Sequence, residues 1–375
     1  MRRTAISATA AGAVALAAAC ASAQPDTVPS EAGTIAVESL ASGLDHPWGM
    51  AFLPDGRLLV TERAGDLRVL KEDGELSEPL EGVPTVLDAG QGGLLDVALD
   101  PDFASNRFVW LSFAEPGDGG ASTAVGRGRL EEGRIEGFEV VFRQQPKVSG
   151  SKHFGGRIVF SGDGVLFLTL GERYKFEPAQ DLSNHLGTIV RINRDGTAPD
   201  DNPFVDQENA KPEIWSYGHR NIESAAIHPE TGALWIAEMG PQGGDELNLP
   251  QAGRNYGWPV VSWGENYDGS DIPDPPTQPQ FADAVKQWTP VISPSGMVFY
   301  TGDAFPAWRG SALIGGLTSD GMVRVTLDEQ QQRVTGEERI SLGTRIRDVE
   351  QGPDGAVYVL TDESDGDVWR LTPQQ

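Results

Sequence analysis

The sequence predicts an all-β protein that folds as a six-bladed β-propeller. A turn-and-strand pattern returns six times, 46 glycines and 26 prolines supply many turns, and no long amphipathic helical pattern interrupts the repeats. The six copies are AFLPDGRLLVTERAGDLRVL (51–70), ALDPDFASNRFVWLSFAE (98–115), VFSGDGVLFLTLGER (159–173), AIHPETGALWIAEMG (226–240), VFYTGDAFPAWRGSALIGGL (298–317) and EQGPDGAVYVLTDESDGDVWRL (350–371).

Each repeat combines a tight turn with a strand pattern. Asp-Gly and Thr-Gly pairs suit hairpin turns that need a positive φ, and the residues after each turn alternate or run apolar. The copies return at intervals of roughly 45 to 75 residues, as four-stranded blades would. A plain β-sandwich would not repeat one turn signature six times. We therefore predict one propeller domain over residues 35–375, with the segment TIAVESLASGL (34–44) closing the last blade.

The N-terminus is typical of an export signal. Arg2 and Arg3 precede a small, apolar run of about 16 residues, which is shorter than the roughly 20 residues that span a bilayer. Cleavage after Ala23 predicts a signal peptide over residues 1–23 and a polar linker over residues 24–34. A lipobox that ends at Cys20 is the alternative. Both interpretations predict an exported, periplasmic protein with no transmembrane segment in the mature chain; the second adds a lipid anchor at Cys20.

The charge and cysteine content exclude several classes of function. The formal net charge is −26, from 29 Lys and Arg against 55 Asp and Glu. Such a chain would be repelled by nucleic acids and anionic lipids. A single cysteine excludes a disulfide framework, a cysteine-rich zinc site and an iron–sulfur cluster.

Four stretches between the repeats carry polar residues with no evident structural need. They are GQGGLLDVALD (90–100) with Gln91, GSKHFGGRIVF (150–160) with His153 and Arg157, IWSYGHRNIES (214–224) with His219, Arg220 and Asn221, and GTRIRDVEQG (343–352) with Arg345 and Arg347. Loops of a propeller converge on its channel mouth, so these stretches predict a pocket there. Arginines placed together in so acidic a chain indicate an anion site. The alternatives are a hydrogen-bonded structural histidine, and arginines neutralised locally by Asp348 and Glu350.

The stretch MGPQGGDELN (239–248) indicates a different ligand. Glycine and proline expose backbone carbonyls, and Asp245 and Glu246 offer carboxylate oxygens. Oxygen ligands without cysteine favour Ca²⁺ over transition metals. An acidic turn without a metal is the alternative.

Taken together, these residues closely resemble the soluble PQQ-dependent aldose sugar dehydrogenases, which are relatives of soluble quinoprotein glucose dehydrogenase. The resemblance extends from LDHPWGMAFLPDG (44–56) to the last blade. The segments that carry it are GQGGLLDVALDPDF, HFGGRIVF, SYGHRNIES, the run from EMGPQGGDELN to NYGWP, and RIRDVEQGPDG. The family fold is a six-bladed propeller, which agrees with the repeats.

The resemblance implies catalytic and metal-binding roles for individual positions. His153 would be the general base that takes the proton of the sugar C1 hydroxyl, and hydride would pass from C1 to the C5 carbonyl of PQQ. Arg220 would stabilise the charge that develops beside that carbonyl. The resemblance assigns one Ca²⁺, next to PQQ, to the carbonyls of Gly240 and Pro241, and a second, structural Ca²⁺ to Glu246 and the backbone of Tyr256.

The resemblance also implies a cofactor-binding set. It consists of Arg345 and Arg347 on the PQQ carboxylates, Gln91, Arg220 and Asn221 near the cofactor, and Trp288 as an aromatic wall. Two positions depart from glucose dehydrogenase. Thr318 aligns with a lysine, and Lys152 replaces an acidic residue before the histidine, so Lys152 could supply the missing charge.

The sequence thus predicts oxidation of aldose sugars at C1 to lactones, with electrons passed to an external acceptor because no haem motif is present. A monomer is expected, since the chain lacks the long insertions of the dimeric glucose dehydrogenases. The alternatives are a Ca²⁺-dependent propeller hydrolase, such as a lactonase, and a non-catalytic sugar-binding propeller.

Overall fold

The computed structural model describes residues 24–374, which form six antiparallel sheets. The predicted signal peptide and Cys20 lie outside the described residues. The chain begins with a hairpin of β1 (Thr27–Ser30) and β2 (Gly33–Leu44). Blade 1 consists of β3 (Pro47–Phe52), β4 (Leu58–Glu62) and β5 (Leu67–Leu70). Blade 2 consists of β6 (Leu94–Leu99), β7 (Phe108–Gly117), β8 (Gly120–Glu131) and β9 (Arg134–Arg143).

The remaining blades follow in chain order. Blade 3 contains β10 (Gly155–Phe160), β11 (Leu166–Leu170), β12 (Thr188–Ile192) and β13 (Ile214–Tyr217). Blade 4 contains β14 (Ile222–Ile227), β15 (Leu234–Glu238), β16 (Asp245–Asn248) and β17 (Lys286–Trp288). Blade 5 contains β18 (Pro294–Phe299), β19 (Ala312–Gly316), β20 (Gly321–Leu327) and β21 (Val334–Ser341). Blade 6 contains β22 (Ile346–Gln351), β23 (Val357–Thr361) and β24 (Gly366–Pro373).

The N-terminal hairpin closes the ring, as the sequence predicts. Strand β2 pairs antiparallel with β24, with Val37 opposite Leu371. Blade 6 is thereby a five-stranded sheet in the order β1-β2-β24-β23-β22. The six-bladed propeller is confirmed. One boundary is corrected, because the expected linker over residues 24–34 contains all of β1 and the start of β2.

The repeated turns connect the first and second strands of every blade. Gly56 and Gly355 in two of these turns have φ of +89° and +78°, which a side chain would disfavour. Within residues 24–374 the helices are short: α1 (Phe103–Asn106) and single 3₁₀ turns at Glu177–Gln180, Pro275–Thr277 and Pro306–Trp308. None of these helices is long and apolar enough to cross a membrane.

The first strands of the blades surround a central channel. Each contacts the first strand of the next blade around the ring, including β22 against β3. Each also has a register shift near its beginning, between residues such as Gly155 and Ile158 in β10. A bulge changes the direction of nearby side chains and interrupts the regular backbone pairing of two strands. The stretches with Gln91, His153, Arg220 and Arg345 all lie at or just before these bulges, so the fold gathers them at one end of the channel.

Candidate active site

A cavity of about 260 Å³ opens at the end of the channel where the first strands begin, and we call it the upper cavity. Its wall combines residues that precede or lie in five of the six inner strands with residues that follow the second strands of four blades. The lining residues are Trp48, Arg63, Gln91, Glu223, Met239, Ser293, Leu317, Thr318, Arg345, Arg347 and Asp362. Three of these are arginines and two are carboxylates, so the wall carries a surplus of positive charge.

His153 is held beside this cavity by two side chains. Its Nδ1 lies 2.6 Å from Oε1 of Glu172, and its backbone N–H donates to Oε1 of Gln91 at 2.6 Å. The histidine backbone is left-handed, with φ of +54°, which is uncommon for a residue with a side chain. The imidazole is buried, and its ring meets Tyr174 edge to face at 5.2 Å. The carboxylate of Glu172 accepts the Nδ1 proton, which leaves Nε2 as the basic nitrogen.

The environment keeps the imidazole neutral at neutral pH. Burial lowers the pKa of His153 from its ordinary value of 6.5, and the positive charge of Arg220 adds to this, while Glu172 opposes it. Burial alone would raise the pKa of Glu172. Hydrogen bonds from His153 and from the backbone N–H groups of Phe176 and Lys175 outweigh burial and lower that pKa. The pair is therefore a neutral imidazole and a carboxylate, which is the protonation state of a general base.

Arg220 lies next to this pair. Its backbone N–H donates to Oε2 of Glu238 at 2.8 Å, and its side chain donates to the carbonyl of Met239 at 3.0 Å. The guanidinium also packs 5.2 Å from the ring centroid of Trp258. The Nε of Arg220 is buried and has no hydrogen-bond partner among the described residues. A buried donor without a partner costs free energy unless a ligand accepts from it.

Arg345 and Arg347 flank one carboxylate at the opposite wall. Asp362, at the end of blade 6, accepts from Nε of Arg345 at 3.0 Å and from Arg347 at 3.2 Å. Arg347 is buried and donates as well to Glu223 at 2.6 Å. The side chain of Arg345 is 46% exposed, and its three guanidinium nitrogens bond to Asp362 and to the carbonyl of Leu317.

The loop that follows β15 is rich in free backbone oxygens. No hydrogen bond to the carbonyl oxygens of Gly240, Pro241 or Tyr256 is found among the described residues. A small cavity of about 20 Å³ lies here, between Glu238, Glu246, Gly240 and Tyr256. Burial raises the pKa of Glu246 to about 8, and repulsion from Glu238 adds to it. Carbonyl and carboxylate oxygens are the donor set that Ca²⁺ prefers, so these residues fit such an ion, with Arg220 as the one cation that lines the same cavity.

The comparisons with known proteins decide the family. Residues 44–370 match the family model described as "Glucose / Sorbosone dehydrogenase". The chain belongs to this family. It is 47% identical over 349 residues to "Aldose sugar dehydrogenase YliI" of Escherichia coli (strain K12), covering 91% of this chain and 94% of that protein. The expected family and the assignment as a sugar-dehydrogenase-type oxidoreductase are confirmed.

Solved structures give the same result. The apo-form of the soluble aldose sugar dehydrogenase from Escherichia coli superposes with a TM-score of 0.86 at 46% sequence identity. The match covers 91% of this chain and 100% of that chain. The PQQ-bound form of aldose sugar dehydrogenase from Streptomyces coelicolor superposes with a TM-score of 0.73 at 29% identity, covering 93% and 99% of the two chains.

In this member of the Glucose / Sorbosone dehydrogenase family, most of the predicted site residues converge. Gln91, Arg345 and Arg347 line the upper cavity together with Thr318. His153 contacts Gln91 directly, and Arg220 lies close enough to influence its pKa. Lys152 is exposed, with its ammonium 4.6 Å from the ring centroid of Tyr174, next to the histidine. Apart from Thr318, which follows β19, these residues precede or begin inner strands, and this made the arrangement predictable.

Trp288 is a correction, because the structure places it in the core rather than at the cavity wall. Its side chain is only 2% exposed and packs among apolar residues between blades 4 and 5. Its Nε1 donates to Glu337 at 3.0 Å. The sequence around Trp288 does not show whether this side chain lines the pocket or packs against the next blade. Trp48 and Trp258 are the tryptophans near the site.

Other predicted polar residues have structural partners instead of open faces. Asp245 uses both carboxylate oxygens on backbone N–H groups, of Gly240 at 2.8 Å and of Ser293 at 2.6 Å, and so shapes the loop rather than offering a free ligand. Asn221 accepts from the N–H of Gly155 and donates to Glu223 at 3.0 Å. Arg157 is paired deep in the channel and is not part of the open anion site.

The site residues that were not predicted from the sequence include Glu172, Arg63 and Arg173. Glu172 orients the histidine from 19 positions away, at the end of β11. Arg63 lines the cavity, and its buried Nε lacks a partner among the described residues. Arg173 is fully buried and donates to the carbonyls of Gly150 at 2.6 Å and Lys152 at 3.0 Å, which holds the loop that carries His153. The run GERYKF gave a weak signal, since charged residues directly after a buried strand favour a site.

Proposed function

We propose that this protein oxidises the C1 hydroxyl of aldose sugars to the lactone, with PQQ and Ca²⁺ as cofactors and an external electron acceptor. The observation that carries the proposal is the His153–Glu172 pair beside Arg220, at a cavity with a surplus of arginines. The relative from Escherichia coli that is named as an aldose sugar dehydrogenase supports the substrate class, and the PQQ-bound structural relative supports the cofactor.

His153 acts as the general base. Its Nε2 takes the proton of the C1 hydroxyl, because Nδ1–H stays bonded to Glu172 and fixes the tautomer. PQQ, when bound, supplies the acceptor for the hydride that leaves C1. Loss of one proton from oxygen and one hydride from carbon converts the hydroxyl into the carbonyl of the lactone.

The arginines hold and stabilise negative charge. Arg220 offers its unpartnered Nε to the oxygen on which charge develops during hydride transfer. The exposed guanidinium of Arg345 and the free Nε of Arg63 suit the carboxylates of an anionic cofactor, for which a planar guanidinium gives bidentate contacts. Arg347 pairs with both Glu223 and Asp362. Because Asp362 is shared between two arginines, it neutralises Arg345 only in part.

The carbonyls of Gly240 and Pro241 would hold one Ca²⁺, which would polarise the cofactor, and Glu246 with the backbone of Tyr256 would hold a second, structural Ca²⁺. Protein carbonyl and carboxylate oxygens are typical ligands for this ion. Asp245 contributes indirectly, since its bonds to the N–H groups of Gly240 and Ser293 fix the direction of the loop. We also propose that the protein is exported to the periplasm and acts as a monomer.

The test is a reconstitution of the purified apoprotein with PQQ and Ca²⁺. PQQ binding is followed by its absorbance, and dye reduction is then measured with glucose, each with and without EDTA. We expect saturable PQQ binding, glucose-dependent dye reduction, and loss of both when Ca²⁺ is removed. Absence of PQQ binding would refute the proposal. Binding without turnover would instead support the non-catalytic sugar-binding alternative.

The hydrolase alternative predicts a different product. Lactone hydrolysis without PQQ, measured by acid release, would support it. Among residues 24–374, no group of three or more His, Cys, Asp or Glu side chains is placed to hold a metal ion. No observation in the described part of the chain therefore favours a hydrolase with a carboxylate-bound central metal.

A further inference from the structure

We propose that Tyr267 is a platform for the sugar ring at the active site, and that it determines the affinity for the sugar rather than for the electron acceptor. This inference rests on the proposed function and deepens it. Nothing in the sequence patterns points to Tyr267, which lies in the stretch between β16 and β17.

Tyr267 is conspicuous because it is exposed. Its exposed fraction is 62%, and among residues 24–374 the other exposed large hydrophobic side chain is Val260 at 41%. A large aromatic ring in water loses the free energy that burial would provide, about 25 cal/mol for each Å². A single exposed aromatic side chain is common on protein surfaces, so its exposure is informative only together with the position of the ring, which lies against Arg220.

The ring is placed against the catalytic guanidinium. An Nη of Arg220 donates to the phenol oxygen of Tyr267 at 3.2 Å, and the guanidinium carbon lies 5.8 Å from the ring centroid. Because the phenol oxygen accepts this bond, its own hydrogen remains free for a sugar oxygen. A sugar near Arg220 would thus meet both an apolar ring surface and a hydrogen-bond donor.

The loop that carries Tyr267 is held against the loop that contains Gly240 and Pro241. Gln242 and Glu265 exchange two backbone hydrogen bonds of 3.0 Å, and the turn beyond them is closed by the N–H of Asn266 on the carbonyl of Ser270 at 3.0 Å. A Cβ on Gly244 would lie 2.3 Å from the backbone nitrogen of Gly264, so the two loops pack backbone to backbone. An aromatic ring on a fixed loop loses little entropy on binding and suits the apolar face of a pyranose.

The test uses Tyr267→Ala and Tyr267→Phe, with Val260→Ala as the control that removes exposed apolar surface elsewhere. Each variant is first checked for its melting temperature and for PQQ binding, both of which we expect to match the wild type. Steady-state rates are then measured while glucose and the dye acceptor are varied separately.

We expect Tyr267→Ala to raise KM for glucose by about 2- to 12-fold, the fold-change that corresponds to an aromatic stacking contact. KM for the acceptor and kcat should change little. Tyr267→Phe should retain most of the affinity for glucose, and Val260→Ala should match the wild type.

Three results would overturn the inference. They are a rise of the acceptor KM alone, no change in either KM, or an equal fall of kcat in both Tyr267 variants at constant KM. The third result would mean that the hydroxyl only holds Arg220. If the wild type itself shows no PQQ-dependent glucose oxidation, the proposed function has failed, and this control is measured before any variant.

Discussion

The two ends of the central channel are formed by the same inner strands and enclose cavities of similar size, yet their chemistry is opposite. The upper cavity has about 260 Å³ and is lined by three arginines and two carboxylates. The other end, which we call the lower cavity, has about 240 Å³ and is lined by Asp96, Asp348 and Glu350 with Arg157 as its one cation. The two ends differ in how far carboxylates of the protein already neutralise the arginine side chains.

At the lower end, pairing consumes the positive charge. Arg157 is buried and lies 3.0 Å from both Asp96 and Asp348. Glycines on neighbouring inner strands make room for these carboxylates, since a Cβ on Gly49 would come 2.7 Å from Asp96, and one on Gly296 would clash with Asp348. The same guanidinium donates to the carbonyl of Glu223 at 2.8 Å. Together with a bond from Nη2 to the carbonyl of Arg347, these contacts engage every nitrogen of the Arg157 guanidinium and place it between the two cavities.

At the upper end, positive charge remains available. Arg63 and Arg220 each have a buried Nε without a partner in the described chain, and the side chain of Arg345 is half exposed. Arg63 lies just after β4 and Arg220 just before β14, so both side chains stand at strand ends that surround the site. The comparison teaches that one ring of strands can form an ionic plug and an open anion site a few residues apart.

The largest expected effect is on chemistry at the upper end. His153→Ala removes the base, so we expect kcat to fall by about 10²- to 10⁴-fold, the usual contribution of general base catalysis. The affinity for PQQ should stay within a few-fold of wild type. Dye reduction and a PQQ titration measure the two quantities separately, and full activity in this variant would refute the role of His153.

The next effect is on stability at the lower end. Arg157→Met leaves Asp96 and Asp348 buried without a counter-charge, which we expect to lower the free energy of unfolding by about 3–5 kcal/mol. Burial already raises the pKa of Asp348 to about 6. The loss should therefore be smaller near pH 5, where protonation removes the charge. Urea unfolding at pH 5 and pH 8 measures it.

Arg345→Met is the matched control for this experiment, since it removes an arginine from the upper end. Its side chain is 46% exposed, so its ion pair with Asp362 is screened by water, and we expect a loss of about 1 kcal/mol or less. Equal losses in the two variants would contradict the contrast between a buried and a solvent-exposed ion pair.

A smaller effect is expected at the partner of the base. Glu172→Gln keeps the shape but removes the carboxylate that fixes the tautomer, and we expect kcat to fall by about 10- to 100-fold, as for other residues that orient a functional histidine. Glu172 raises the pKa of His153. Its removal should therefore move the acid limb of the pH–kcat profile to lower pH. An acid limb that moves to higher pH would contradict this role.

The sequence predicted the fold well because one turn marks every blade. The turns between first and second strands repeat often enough to count blades, and the segment 34–44 was identified as the closing strand. The site was predictable where function lies at strand starts, as for His153 and Arg345. Glu172 and Asp362 were missed because they come from strand ends remote in sequence. Which side chains meet across a propeller depends on how the blades are arranged around the ring. A local sequence pattern does not contain this information.

Local neighbours in sequence were also misleading as electrostatic partners. Asp348 and Glu350 stand beside Arg345 and Arg347 in the chain and were considered as their counter-charges. In the structure Asp348 pairs with Arg157. Arg345 instead pairs with Asp362, and Arg347 pairs with Glu223. The bulge between Ile346 and Asp348 separates these residues, so a simple alternation along β22 does not hold.

The smallest predicted effect on the reaction, which is no change, tests whether the lower end has any part in catalysis. Burial and repulsion from Asp348 and Asp96 raise the pKa of Glu350 well above its ordinary value of 4.5. The folded protein therefore retains a proton that the unfolded chain releases above about pH 4.5, and stability falls as the pH rises through this window. Glu350→Gln removes the effect, so at pH 8 we expect the free energy of unfolding to rise by about 0.5–2 kcal/mol, with no difference at pH 4.

Sugar oxidation by Glu350→Gln should equal that of the wild type, because Arg157 and its two carboxylates separate Glu350 from the upper cavity. Urea unfolding at pH 4 and pH 8 and steady-state dye reduction provide the two measurements. A loss of kcat at unchanged stability would show that charge at the lower end acts on the reaction, and the separation of the two ends by the ionic plug would then be wrong.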